Sequence, residues 1–137
     1  MNAAYLLTPK SQLVIMHADC TLRQALEKMR RGGFQAMPVI DRAGKYLGTV
    51  SEGDFLWHLI EDPKKELQRI PIQSAEDHRL IEILAPDRVP AVLITANMEE
   101  LMLHALNHNF VPVVDDTGSF VGIVTRKKIL NYYYSKK

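Results

Sequence analysis

Residues 36–56 read AMPVIDRAGKYLGTVSEGDFL and residues 110–130 read FVPVVDDTGSFVGIVTRKKIL, and the second stretch lies on the first without a gap. Pro38 falls on Pro112, Asp41 on Asp115, Gly44 on Gly118, Gly48 on Gly122 and Val50 on Val124. Ser51 then falls on Thr125 and Asp54 on Lys128. An ungapped self-match of this length marks a repeated structural unit. In each copy a short apolar strand (37–40, 111–114) meets a four-residue turn that starts with Asp and ends with Gly. A second strand follows (46–50, 120–124), so each copy predicts a hairpin.

Outward from the hairpins the repeat continues. Thr21 with Gln24 forms a capping-box pattern, and Asn97 with Glu100 is a looser version. Leu22, Ala25, Leu26 and Met29 share one helical face, as do Met98, Leu101, Met102, Ala105 and Leu106. Gly32-Gly33 supplies a stop for the first helix. A further strand is expected before each helix, at 13–16 and 91–95, and a final helix after each hairpin, from about Ser51 and Thr125. Between the copies, DPKKELQ (62–68) predicts a short helix and DHRLIEIL (77–84) another turn or two. The expected fold is α/β, two β-α-β-β-α repeats (1–70 and 71–137) packed through their sheets into one pseudo-twofold module, because neither half alone buries a sufficient core.

Composition narrows the function. The 137 residues are 47% hydrophobic and 24% charged, with a formal net charge of +1. That balance gives no global pull toward nucleic acid or membrane, so electrostatic function must be local. No apolar run reaches the roughly 18 residues of a membrane span. The opening MNAAYLLTPKSQ lacks a signal peptide's basic start and apolar core, so a cytoplasmic protein is expected. Cys20 is the single cysteine, which rules out an internal disulfide. It reads as a core filler just before a helix cap. His104 and His108 stand i, i+4 but without an H-E-x-x-H pattern or a third ligand, so no metal and no cofactor are expected. With no Walker loop, no G-x-S-x-G and no paired His/Cys arrangement, the chain does not read as an enzyme.

Two β-α-β-β-α copies, each with a Pro-Val-(Ile/Val)-Asp strand, a Gly before (Tyr/Phe)-(Leu/Val)-Gly-x-Val and a Ser/Thr helix start, resemble a pair of cystathionine-β-synthase (CBS) domains. The resemblance covers almost the whole chain. GGFQAMPVID from Gly32 and NFVPVVDDTGSFVGIVTRKKIL from Asn109 are similar to small stand-alone CBS proteins of Gram-positive bacteria, some of which receive cyclic di-AMP. The resemblance implies a regulatory module that binds an adenosine-containing ligand between the repeats, forms a homodimer and signals to an effector protein. Nucleic acid and membrane are not expected partners. The dimer is expected around the final helices, through Phe55, Leu56, Trp57, Leu59 and Ile60 and through Ile129, Leu130 and Tyr133. A ligand-free dimerisation module is the rival of a different class.

The two helix starts differ in charge. Ser51 with Asp54 is a helix cap suited to the positive end of a helix. The resemblance makes Asp54, read as an exposed carboxylate, the acceptor of two ribose hydroxyls, in a cleft completed by Ser51, Val92, Asn109, Phe110 and Val111. Arg126, Lys127 and Lys128 oppose the helix dipole, by about 0.3–1 kcal/mol each. A helix N-terminus collects anions, so these cations read as a phosphate site. Lys128 stands where the family carries the ribose acid, so the two clefts are not equivalent. By the family's geometry the cationic cleft pairs Thr125, Arg126 and Lys127 with Gln12, Val14, Phe34, Gln35 and Ala36, Phe34 stacking on a purine. Cyclic di-AMP is the favoured ligand there, with AMP, ADP or ATP at Asp54 as the alternative.

Overall fold

A computed structural model describes residues 2–32, 36–61, 78–85 and 88–135, and the side chains of all of these except 59–61. The first half contains β2 (Met16–His17), α2 (Leu22–Gly32), β3 (Ala36–Ile40), β4 (Tyr46–Ser51) and α3 (Glu52–Glu61). The second contains β5 (Val92–Leu93), α4 (Met98–Ala105), β6 (Phe110–Val114), β7 (Phe120–Thr125) and α5 (Arg126–Ser135). Ahead of both lie α1 (Ala3–Leu6), β1 (Thr8–Pro9) and a 3₁₀ turn (Lys10–Gln12).

The repeat is reproduced bond by bond. The Asp41 carboxylate accepts from the N–H groups of Ala43 and Lys45, each at 2.9 Å. Asp115 accepts from those of Thr117 and Ser119, at 2.9 and 3.0 Å. Gly44 and Gly118 close these turns at φ 85°, a left-handed conformation that glycine adopts without a steric penalty. Both hairpins shift register at matching places, between Val39 and Ile40 and between Val113 and Val114. The capping box forms as read, with Thr21 N–H on Gln24 Oε1 at 3.0 Å and Gln24 N–H on Thr21 Oγ1 at 3.1 Å. Asn97 accepts from Glu100 N–H at 2.9 Å.

Two sheets result, in the orders β2-β3-β4 and β1-β7-β6-β5. The turns meet head to head: Tyr46 N–H donates to the Gly118 carbonyl at 3.2 Å and Phe120 N–H to that of Gly44 at 2.9 Å. Between the sheets Ile40, Phe120 and Ile123 form a shared cluster with Leu13, Ile15, Tyr46 and Phe110. This is the packing of two sheets into one module that the repeat predicts.

Several readings need correction. The strand expected at 13–16 forms only at Met16–His17, because Leu13 and Ile15 leave the ladder to fill the cluster between the sheets. The strand at 91–95 shortens likewise to Val92–Leu93. Leu26, Met102 and Leu106 are exposed rather than facing the core. Phe55 and Ile129 are buried in the two halves' cores, which leaves Leu56, Trp57, Leu130 and Tyr133 as the exposed part of the expected dimer face. The 62–68 helix, the boundary at 70/71, Gly33 and the side chains of Leu59 and Ile60 lie outside the described residues. The second connecting turn is present as a 3₁₀ turn, Leu80–Ile83.

The N-terminal segment and the Leu80–Ile83 turn each pack on the opposite half from the one sequence order assigns. Ala3 and Leu6 sit in the core of the second half with Val92, Leu101 and Val111. Thr8 pairs with Ile123 and Pro9 with Gly122. Leu80 belongs to the first core with Met16, Leu22 and Met37, and its N–H donates to the Cys20 carbonyl at 2.9 Å. Cys20 is a free thiol at the edge of that core, and burial pushes its pKa up. The exchange of segments ties each half to the other.

Candidate functional site

At the start of α3 the acid caps the helix, and the hydroxyl does not. Asp54 Oδ2 accepts from Ser51 N–H at 2.7 Å and from Ser51 Oγ at 3.2 Å. At the start of α5 the roles invert, and Thr125 Oγ1 accepts from Lys128 N–H at 3.2 Å. Hairpin register sets both ends alike, since Ala36 stands opposite Ser51 and Phe110 opposite Thr125.

Asp54 is not the exposed carboxylate that its sequence context implies. It is 6% exposed, and Arg88 clasps it, Nη1 on Oδ1 at 2.5 Å and Nη2 on Oδ2 at 2.5 Å. A buried carboxylate needs such a partner, because an unpaired charge out of water is costly. The Asp54 hydrogen bonds hold the Arg88 pKa above its ordinary range. Arg88 is missed by the sequence reading because it lies in the Pro-rich connection, outside the repeat. Only its place between Pro86 and Pro90 draws notice to it. Its neighbour Val89 is buried, and the Val89 carbonyl accepts from the Tyr46 hydroxyl at 2.7 Å.

The cations of α5 are also partnered differently from expectation. Arg126 Nε donates to the carbonyl of Ala105, the last residue of α4, at 2.8 Å, and its backbone N–H to the Asn109 carbonyl at 2.8 Å. The guanidinium therefore lies at the negative end of one helix as well as the positive end of another, which offsets the dipole penalty. Lys128 Nζ donates to Thr8 Oγ1 at 2.8 Å and so ties α5 to β1. Lys127 is exposed.

His108 connects the two groups of cations. It lies past the end of α4, so its spacing from His104 is not that of one helix face. Burial, followed by the positive fields of His104, Arg126 and Arg88, pushes its pKa down. Arg88 and Arg126 thus both act on His108, and Arg88 in turn is paired with Asp54. Among the described residues no cluster of three or more metal-type side chains occurs.

The other expected residues are placed as follows. Asn109 is exposed beside Arg126, and Phe110 is half-buried in the cluster between the sheets. Val92 and Val111 are buried in the second core, so their side chains are committed to packing. Gln12 and Val14 are exposed after β1, Ala36 is half-buried at the start of β3, and Thr125 is half-buried at the end of β7. Phe34 and Gln35 lie outside the described residues.

The CBS-domain family model matches residues 6–61 and 75–135. The chain belongs to the CBS-domain family. CBS pairs are regulatory modules, and the two hairpin-and-helix units are the two CBS domains of this chain. L-aspartate semialdehyde sulfurtransferase of Methanocaldococcus jannaschii is 25% identical over 124 residues, which are 90% of this chain but 22% of that protein. Among solved structures, the Listeria monocytogenes CbpB protein in complex with c-di-AMP is 25% identical at TM-score 0.82, with 98% of each chain covered. CBSX2 in complex with AMP is 23% identical at TM-score 0.75, covering 98% of this chain and 97% of that one. No helix among the described residues is long and apolar enough to cross a membrane.

Proposed function

We propose that this CBS pair is a sensor of an adenine nucleotide, not an enzyme, with the ribose taken by Asp54 and the phosphate by the neighbouring cations, and that it signals to an effector protein. The observation that carries the reading is Asp54 itself. It is a carboxylate oriented by Ser51 at a helix start and paired with Arg88, whose positive field reaches His108 as that of Arg126 does. A carboxylate beside cations matches a ligand that presents hydroxyls at one end and an anion at the other. The AMP complex of CBSX2 supports this pairing of fold and ligand class.

A second reading, cyclic di-AMP held by Arg126 and Lys127, is supported by the c-di-AMP complex of the Listeria relative and by the exposed Lys127. It comes second here, although the sequence favours it, because it rests on Arg126, which already donates to the Ala105 carbonyl, and does not draw on the Asp54–Arg88 pair. Cyclic di-AMP also has no free ribose diol, since its 3′ oxygens are esterified, and so uses Asp54 less fully.

Calorimetry with AMP, ATP and cyclic di-AMP on the parent and on Asp54→Asn tests the choice. The expected result is mononucleotide binding weakened about tenfold or more in the variant, for loss of a charged hydrogen-bond acceptor. An anion bound beside His108 should also raise that residue's pKa, read by NMR titration of its ring. Mononucleotide binding indifferent to Asp54→Asn, with cyclic di-AMP weakened by Lys127→Ala, would reverse the order of the two readings. A protein that binds none of the three is not a sensor of these ligands.

A further inference from the structure

The Asp54 carboxylate already accepts from four donors. A carboxylate offers about four lone-pair sites. Three of the donors fall on Oδ2 (the Ser51 N–H, the Ser51 hydroxyl and Arg88 Nη2) and one, Arg88 Nη1, on Oδ1, so the Arg88 fork holds both oxygens at once. A ribose diol approaches in the same two-point manner as a guanidinium, one hydroxyl to each oxygen. Diol and Arg88 therefore compete for the same positions, and Ser51 is held in place by its own backbone.

We propose that Arg88 is an exchangeable latch on Asp54: the ribose hydroxyls of a nucleotide displace its guanidinium from the carboxylate, and the released guanidinium binds that nucleotide's phosphate. The inference rests on the reading of Asp54 as the ribose acceptor and adds a specificity-determining residue to it. Three observations support the exchange. The Arg88 side chain is 45% exposed while that of Asp54 is 4% exposed, so the acid is enclosed by the fold and the base has solvent to turn into. Val89 is anchored by its buried side chain and by the Tyr46 hydroxyl, which fixes the backbone next to Arg88. The positive fields of Arg88 and Arg126 both reach His108, so a released guanidinium stays on the side of the molecule where Arg126 also favours an anion.

The consequence is discrimination between nucleoside and nucleotide. Adenosine must displace Arg88 and offers it no new partner. AMP displaces the same bonds and replaces them with a charge-assisted fork to phosphate.

Calorimetry with adenosine and AMP on the parent, Asp54→Asn, Arg88→Gln and Arg88→Lys tests the latch, with near-UV circular dichroism reporting the fold. Arg88→Gln keeps a donor for Asp54 but no charge. It should bind adenosine more tightly than the parent does, and its preference for AMP over adenosine should fall about tenfold, the equivalent of one charge-assisted bond. Arg88→Lys should fall between the two. AMP binding that depends on Asp54, with an unchanged AMP-to-adenosine ratio in both Arg88 variants, overturns the latch and leaves the ribose reading standing. AMP binding indifferent to Asp54→Asn, or no binding to the parent, overturns both. Loss of the folded spectrum in both Arg88 variants shows a fixed clamp on the fold and overturns the latch.

Discussion

Replacing Arg126 with methionine should destabilise the protein, although a rule about helix starts says the opposite. By that rule, removing a cation from the positive end of α5 is worth about 0.3–1 kcal/mol of stabilisation. The structure supplies an opposing effect of the same size, since Arg126 also lies at the negative end of α4 beside the Ala105 carbonyl. The two dipole effects cancel to first order, and the 2.8 Å bond from Nε to that carbonyl decides the sign. Hydrogen bonds to charged groups contribute about 1.5–3 kcal/mol. Partial exposure of Arg126 lets water replace some of this, which leaves roughly 1–2 kcal/mol. Methionine keeps most of the apolar stem, so packing contributes little. For a chain of this length 1 kcal/mol corresponds to about 3–5 °C in Tm, so a drop of about 3–10 °C is expected. Equilibrium urea unfolding should show a lower midpoint with an unchanged slope. Lys127→Met is the control. Lys127 is exposed and no interaction with another described residue holds it, so its loss should leave stability level or slightly higher. An Arg126→Met protein as stable as the parent, or more so, would refute the reasoning and restore the cation's net penalty.

Gly122→Ala should detach the N-terminal strand. A Cβ there would lie 2.2 Å from the Thr8 carbonyl oxygen, with Gly122 at φ 158°. The cost should reach at least the ~1–3 kcal/mol of overpacking, and hydrogen exchange should quicken first at residues 3–9; unchanged protection there would contradict the β1–β7 contact. Tyr46 should ionise well above the ordinary tyrosine range, since burial pushes its phenol up to about 12. Its folded pKa lies above its unfolded value near 10, so the stability it contributes is complete below pH 10 and is lost as pH rises through about 12. Ultraviolet titration reads this directly, and a Tyr46→Phe protein with the same high-pH titration would refute the assignment. A homodimer through α3 and α5, as the family implies, should cover Leu56 and Trp57, which are 53% and 62% exposed. Light scattering should then give twice the chain mass for the parent and a lower mass for Trp57→Glu; a monomeric parent at micromolar concentration would count against it.

The local pattern of the chain determined the repeat. Asp and Gly at fixed places in each turn, strand alternation and the Thr21 capping box are interactions between residues a few positions apart, and these are written in order along the sequence. The family followed from that order. The partners across the fold did not follow, because they join residues distant in the chain. Asp54 meets Arg88 from a Pro-rich connection with no pattern of its own. Lys128 meets Thr8, and Arg126 meets a carbonyl of a different helix. Charge order along the sequence showed that the two helix starts must differ, acid in one and base in the other. Which of those charges is buried, neutralised or still available to a ligand depends on what lies opposite when the two sheets close. A charge's partner is set by distance and desolvation, and only the tertiary structure supplies both.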